Sequence, residues 1–246
     1  MTMILGLLIT TLVTPLLREP EAVQAEYRGT MNQSIAIGLT LTHDPGDRLH
    51  GVYYYWKYFK DIPLEGGYTE DHRLLLREHG HHGVLRGTFQ LQPSEPGSDD
   101  WVSREQHLVG TWTDATGARS YPVDIRIVTI RDSLMVSNAK MYPTSPQMER
   151  NVQAFYFAVL RGDKQAAASH VHNPLPINFK PKRVARNKAE FLELYDQIFT
   201  KEYVDCIRRG VPHHLWANSS GWMIDIGEVW FNEKGEVTQL NPCRPD

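Results

Sequence analysis

Apolar and polar residues recur along this chain with two different periods, and the change of period divides it. From Glu26 to about residue 130 the spacing is that of strands. Ile35-Ala-Ile-Gly-Leu-Thr-Leu-Thr sets its large apolar residues two apart, which in an extended chain puts them on one face. Residues 49–59 are dense in aromatics, side chains that pack well on a pleated surface. Residues 73–78, 87–91, 108–112 and 121–127 read as further strands, separated by turn residues such as His43-Asp-Pro-Gly-Asp. Strands this short and frequent predict an antiparallel β domain over 26–140, as a meander, a sandwich or a small barrel. Gly29-Thr-Met, Gly87-Thr-Phe and Gly110-Thr-Trp echo one another, with Gly51-Val-Tyr a looser version. We read them as strand starts, where glycine permits a sharp entry. Residues 92–100 are too polar to pack and read as a loop.

After Met141-Tyr-Pro-Thr-Ser-Pro the period lengthens. Val152, Phe155, Tyr156 and Val159 form a helical stripe within 147–160, which Gly162-Asp163 stops, and a shorter helix follows from Lys164 to about His170. A strand is predicted at 176–179. Asn187 and Glu190 have capping-box spacing, opening one helix over 187–209 with Phe191, Tyr195, Ile198, Phe199 and Cys206 inward. A strand over 222–231 then returns through Asn232-Glu-Lys-Gly to 236–240 as a hairpin.

Helix, short helix, strand, long helix and hairpin, with Phe191-Leu-x-Leu-Tyr-Asp-x-Ile-Phe and Gly227-Glu-Val-Trp-Phe, resembles the NTF2-like, cystatin-related cone fold over 147–241. The resemblance implies an α+β domain with an apolar pocket between a curved sheet and its helices, and dimerisation through the sheet. The fold class expected for the whole chain is therefore α+β. No catalytic role transfers by position, because catalytic members of that family place different acids and bases in the pocket.

The amino terminus changes the picture of where the protein works. Met1 to Leu17 carry no charge and are almost wholly apolar or hydroxylic, and Ala22-Val-Gln-Ala follows. Val23 and Ala25 suit the −3 and −1 positions of a signal-peptidase site, giving a leader at 1–25 and a mature chain from Glu26, although no basic residue precedes the apolar run. A retained anchor and a buried helix are the alternatives. We expect a periplasmic or secreted protein with no membrane span in the mature chain. A net charge of −3 and scattered Lys and Arg argue against a nucleic-acid partner. Two cysteines, Cys206 and Cys243, are either a single bridge or an apolar helix position and a tail thiol.

Candidate chemistry is sparse. Glu78-His79-Gly-His81-His82 reads as a surface turn rather than a metal site, and His213-His214 is a weaker metal candidate still, so neither a metal nor a cofactor is expected. His172, Tyr195 and Asp196, with Glu228 on the face of Trp222 and Trp230, are the candidate acid–base groups. Glu228 is preferred to Asp225 because even-numbered positions of 222–230 are apolar, making a carboxylate there an anomaly. Tyr54, Trp56 and Tyr58 would form an exposed stripe for binding, joined by Trp222 and Trp230. The leading expectation is an exported, non-catalytic binding or interaction protein, taking an envelope or secreted protein or a small apolar ligand. The alternatives are an NTF2-like lyase or isomerase on a small apolar substrate and an inhibitor of a secreted enzyme.

Overall fold

Eight strands follow one another with each paired antiparallel to the next: β1 (Val23–Met31), β2 (Ile35–His43), β3 (Arg48–Tyr55), β4 (Ile62–Tyr68), β5 (Leu74–His79), β6 (Leu85–Pro93), β7 (His107–Asp114) and β8 (Ser120–Arg131). Pairing of β8 with β1 closes the ring into an up-and-down barrel. The computed structural model describes residues 23–44, 48–95, 105–131, 138, 141–225 and 227–243. Residues 1–22 of the expected leader and 96–100 of the expected polar loop lie outside them.

The alternation read from the sequence sets the barrel's two faces. Tyr27, Leu39, Tyr53, Leu76, Phe89, Leu108 and Ile125 point inward and are buried as one cluster. Two carboxylates join them toward opposite ends: Glu78 accepts hydrogen bonds from Tyr53 Oη (2.8 Å) and Trp112 Nε1 (2.9 Å). Glu105 accepts from Tyr27 Oη (2.9 Å) and Tyr68 Oη (2.6 Å). Side chains thus fill the interior. The outward face carries Arg48, Glu65, Arg77, Asp124 and Arg126, charges that would be costly against lipid.

The echoing glycines are not strand starts. Gly29 and Gly110 lie inside β1 and β7, and a Cβ there would meet the Asp124 carbonyl oxygen at 1.9 Å and that of Gln90 at 2.0 Å. Neighbouring backbones cross at these inward positions so closely that only glycine fits, which lets the sheet coil into a small barrel.

The second part holds α1 (Pro146–Leu160), α2 (Lys164–Ala168), β9 (Leu175–Ile177), β10 (Arg183–Ala185), α3 (Lys188–Ile198), α4 (Lys201–Arg209), β11 (Trp216–Asn218), β12 (Gly221–Ile224), β13 (Val229–Phe231) and β14 (Val237–Leu240). Its sheet runs β10-β9-β14-β13-β12-β11, and the helices bury Phe155, Phe191, Phe199 and Tyr203 against Val229, Phe231 and Leu240.

Several expectations are corrected. The chain is mostly β, with 45% strand and 22% helix, so the α+β class with a cone-shaped second domain is overturned. The long helix is two helices: Phe199 leaves helical geometry and the Thr200 hydroxyl caps α4 by accepting from the Tyr203 N–H. The strand predicted over 222–231 is itself a hairpin, turning at Asp225 (φ 51°) and Gly227 (φ 104°). Trp222 pairs with Phe231 and Met223 with Trp230, so the two tryptophans lie on opposite faces. Cys206 and Cys243 are bridged, tying the tail to α4. Val23, Gln24 and Ala25 are barrel residues, Ala25 fully buried, so cleavage after Ala25 would remove part of β1. Among the described residues no helix is long and apolar enough to cross a membrane.

Candidate functional site at the barrel junction

The residues singled out in the second part do not form one site. Asp196 is 76% exposed on α3 and accepts from Lys164 (2.6 Å), while the adjacent Tyr195 turns into the core. His172 is half-exposed and 3.6 Å from Glu236. Glu228 is buried, as expected, but in the turn between β12 and β13 rather than on a continuous strand. Burial also raises the carboxyl of Asp225. The aromatic stripe is not a free surface. Tyr54 has no exposed area and lies edge-on to the His213 ring at 4.6 Å. Trp56 stacks beneath the Arg28 guanidinium at 4.0 Å, close to Phe59. Tyr58 alone of the three is freely exposed, at 66%. Trp222 donates from Nε1 to the Tyr142 carbonyl (2.9 Å). Tyr54 and Trp56 instead cover the seam where the helical part meets the outer wall of the barrel.

That seam contains the densest polar cluster. His213 follows α4 through Gly210-Val-Pro and is 3% exposed. Its Nδ1 donates to Glu149 Oε2 on the first turn of α1 (2.9 Å), and its Nε2 to Asp61 Oδ1 in the β3–β4 loop (2.8 Å). With a carboxylate at each nitrogen, both must carry protons. Burial opposes that charge, yet Asp61 and Glu149 outweigh it and push the His213 pKa up to about 9. The same contacts hold Asp61 and Glu149 below their ordinary range, against burial.

His214 extends the cluster. Its Nε2 donates to Asp61 Oδ2 (3.0 Å) and its Nδ1 faces Thr40 Oγ1 (3.2 Å). Consecutive side chains ordinarily diverge. Here His214 has φ 50°, and the two rings lie 3.9 Å apart. Arg131 secures this turn by donating to the His214 carbonyl (2.6 Å), Glu26 (3.0 Å) and Gln24 (2.9 Å). A β-bulge aims it. Along β8 the inward positions are 123, 125 and 127, and the register shift opposite Glu26/Tyr27 moves the inward set to 130, turning Arg131 outward.

Beside the cluster a cleft of about 480 Å³ opens between the barrel wall and the segment before α1, lined by residues including Thr42, Val52, Asp61, Pro143, His214 and Leu215. Glu78-His79-Gly-His81-His82 is a hairpin tip, with Glu78 inside the barrel and His79 contacting the Gly83 carbonyl. Sequence reasoning set His213-His214 aside and missed Asp61, Glu149, Thr40 and Arg131. The adjacent histidines after Pro212 were the available signal. Comparison with known protein families, with curated proteins and with solved structures finds no match.

Proposed function

We propose that this is an exported, non-catalytic binding protein whose ligand occupies the cleft between the barrel and the helical part. The observation that carries this is the cleft itself. At about 480 Å³ it falls in the size range of small-molecule sites, at a junction of two cores, with carbon-rich walls and convergent polar groups on its floor. Those features suit a small, partly apolar molecule bearing hydrogen-bonding groups. Export draws support from the apolar stretch at 1–17 and from a bridge that uses both cysteines of the chain, a pairing that persists in oxidising compartments.

The acid–base enzyme reading loses its basis, because His172, Tyr195, Asp196 and Glu228 are dispersed over surface, core and turn. Thr40, His214 and Asp61 do form a hydroxyl–imidazole–carboxylate series, but Thr40 is only 4% exposed within a strand, poorly placed to attack a substrate. A thermal-shift screen of a small-molecule fragment library against wild type and Val52→Trp, which fills the cleft from the barrel wall, tests the proposal. Compounds that stabilise the wild type and not the variant support it. A screen in which no compound distinguishes the two proteins overturns it.

A further inference from the structure

We infer that the floor of this cleft is a binding site for a divalent transition-metal ion of the zinc type, with Asp61, His213 and His214 as its protein ligands. The inference deepens the cleft reading and rests on it. The ligand atoms of these three residues lie within 4.8 Å of one another. Both Nε2 atoms converge on one carboxylate, at 2.8 and 3.0 Å. Ligands bound tetrahedrally at about 2.0–2.1 Å stand roughly 3.3 Å apart, so admitting an ion asks each imidazole to draw back from the carboxylate by a few tenths of an ångström.

The surroundings match what metal-bound imidazoles require. A ligating histidine is oriented through its other nitrogen, usually by a carboxylate, carbonyl or water. Here Nδ1 of His213 is held by Glu149 and Nδ1 of His214 faces Thr40. The left-handed backbone at His214, pinned through its carbonyl by Arg131, brings two sequence neighbours to one point. Two imidazoles and one carboxylate form a borderline-soft donor set suited to zinc and its first-row neighbours rather than to calcium or magnesium. Asp61 and His214 border the open cleft, which leaves the remaining coordination positions for water or for a ligand group.

Loading balances simply. The ion takes the Nε2 lone pair of His213, whose Nε2 proton leaves to solvent while Nδ1–H stays on Glu149. His214 moves its proton from Nε2 to Nδ1, from where it donates to Thr40 Oγ1.

The test is titration of untagged, EDTA-treated, full-length folded protein with ZnCl2 by calorimetry, and with CoCl2 by visible absorption. One zinc per chain is expected, with intense low-coordinate cobalt bands on the wild type, and both signals weakened at least about tenfold in Asp61→Asn and His214→Ala. His79→Ala should leave them unchanged. Absence of zinc binding at high-micromolar metal, a cobalt spectrum of hexahydrate type only, or binding that His79→Ala abolishes while Asp61→Asn spares would overturn the inference. The titration needs no organic ligand, so its failure leaves the fragment screen standing, and an empty screen leaves metal binding measurable.

Discussion

His213 sits between two carboxylates, and that placement makes its charge part of the fold. In metal-free protein its pKa is about 9, against an ordinary value of about 6.5 in the unfolded chain. A raised pKa stabilises the folded state fully below the unfolded value, and the benefit is lost as pH climbs through the folded one. The loss between pH ~6.5 and ~9 is on the order of 3 kcal/mol for this buried group. Asp61 and Glu149 are shifted down, so their contribution is present above the ordinary carboxylate range and lost on acidification. Urea midpoints of EDTA-treated protein should therefore peak between about pH 5 and 6.5. His213→Gln should flatten the alkaline fall, and an unchanged fall would contradict the assignment. Inside the barrel, Glu78→Leu removes the acceptor shared by the buried Tyr53 hydroxyl and the partly buried Trp112 N–H and is expected to cost about 1–3 kcal/mol. Trp112→Phe, which removes one donor and keeps the acceptor, should cost less by the same denaturation measurement. Neither cluster could be read from the sequence, because each joins residues far apart in the chain.

Among the elements, the strands of the barrel were largely legible because each has one buried and one wet face. β1 and β4 escaped because Glu26-Tyr-Arg-Gly and Leu64-Glu-Gly-Gly dilute that contrast with charges and glycines. The second part misled where a local stop was overlooked. Thr200 ends the run of helical spacing as effectively as Asn187 begins it, and the Asp225–Gly227 turn folds one predicted strand into two. The bridge closes the segment from α4 to the tail, a separation of 37 residues. By loop-closure entropy it should stabilise the protein by about 3–4 kcal/mol. The Cys206→Ser and Cys243→Ser variants, separately, should each lower the urea midpoint accordingly. Dithiothreitol should bring the wild type to the same value and leave either variant unmoved.

At the scale of the whole molecule, the junction is held by few but buried polar contacts. Arg131→Met strands Glu26 and releases the His214 turn, with an expected loss of about 3–5 kcal/mol in urea denaturation. Adding Glu26→Leu should recover much of that, because the remaining charge is no longer buried alone. A double variant no more stable than the single one would show that the guanidinium acts mainly through His214. The start of the mature chain is a second matter at this scale. A protein beginning at Val23 keeps the Ala25 core side chain and the pairing of Gln24 with Thr42 and Arg131, whereas one beginning at Glu26 loses both. The shorter protein is expected to melt lower, and under the export proposed above, intact mass of the processed protein should place its first residue at or before Val23.

What the sequence determined by itself was what depends on neighbours in the chain: alternation that sorts barrel residues into two faces, and the capping box that opens α3. These follow from backbone geometry, which repeats every two or 3.6 residues and leaves its mark locally. The tertiary structure alone decided what depends on closure and register. Glycines that looked like strand starts turned out to be the points where neighbouring backbones nearly touch. A single bulge turned Arg131 from the barrel interior to the seam. Tyr54 and Trp56, expected on a free surface, became the seam's packing, because the helical part came to rest on that wall, while Tyr58 stayed exposed. Asp61, Glu149 and the two histidines met there through contacts spanning up to 153 residues, and no local pattern encodes a meeting over that distance.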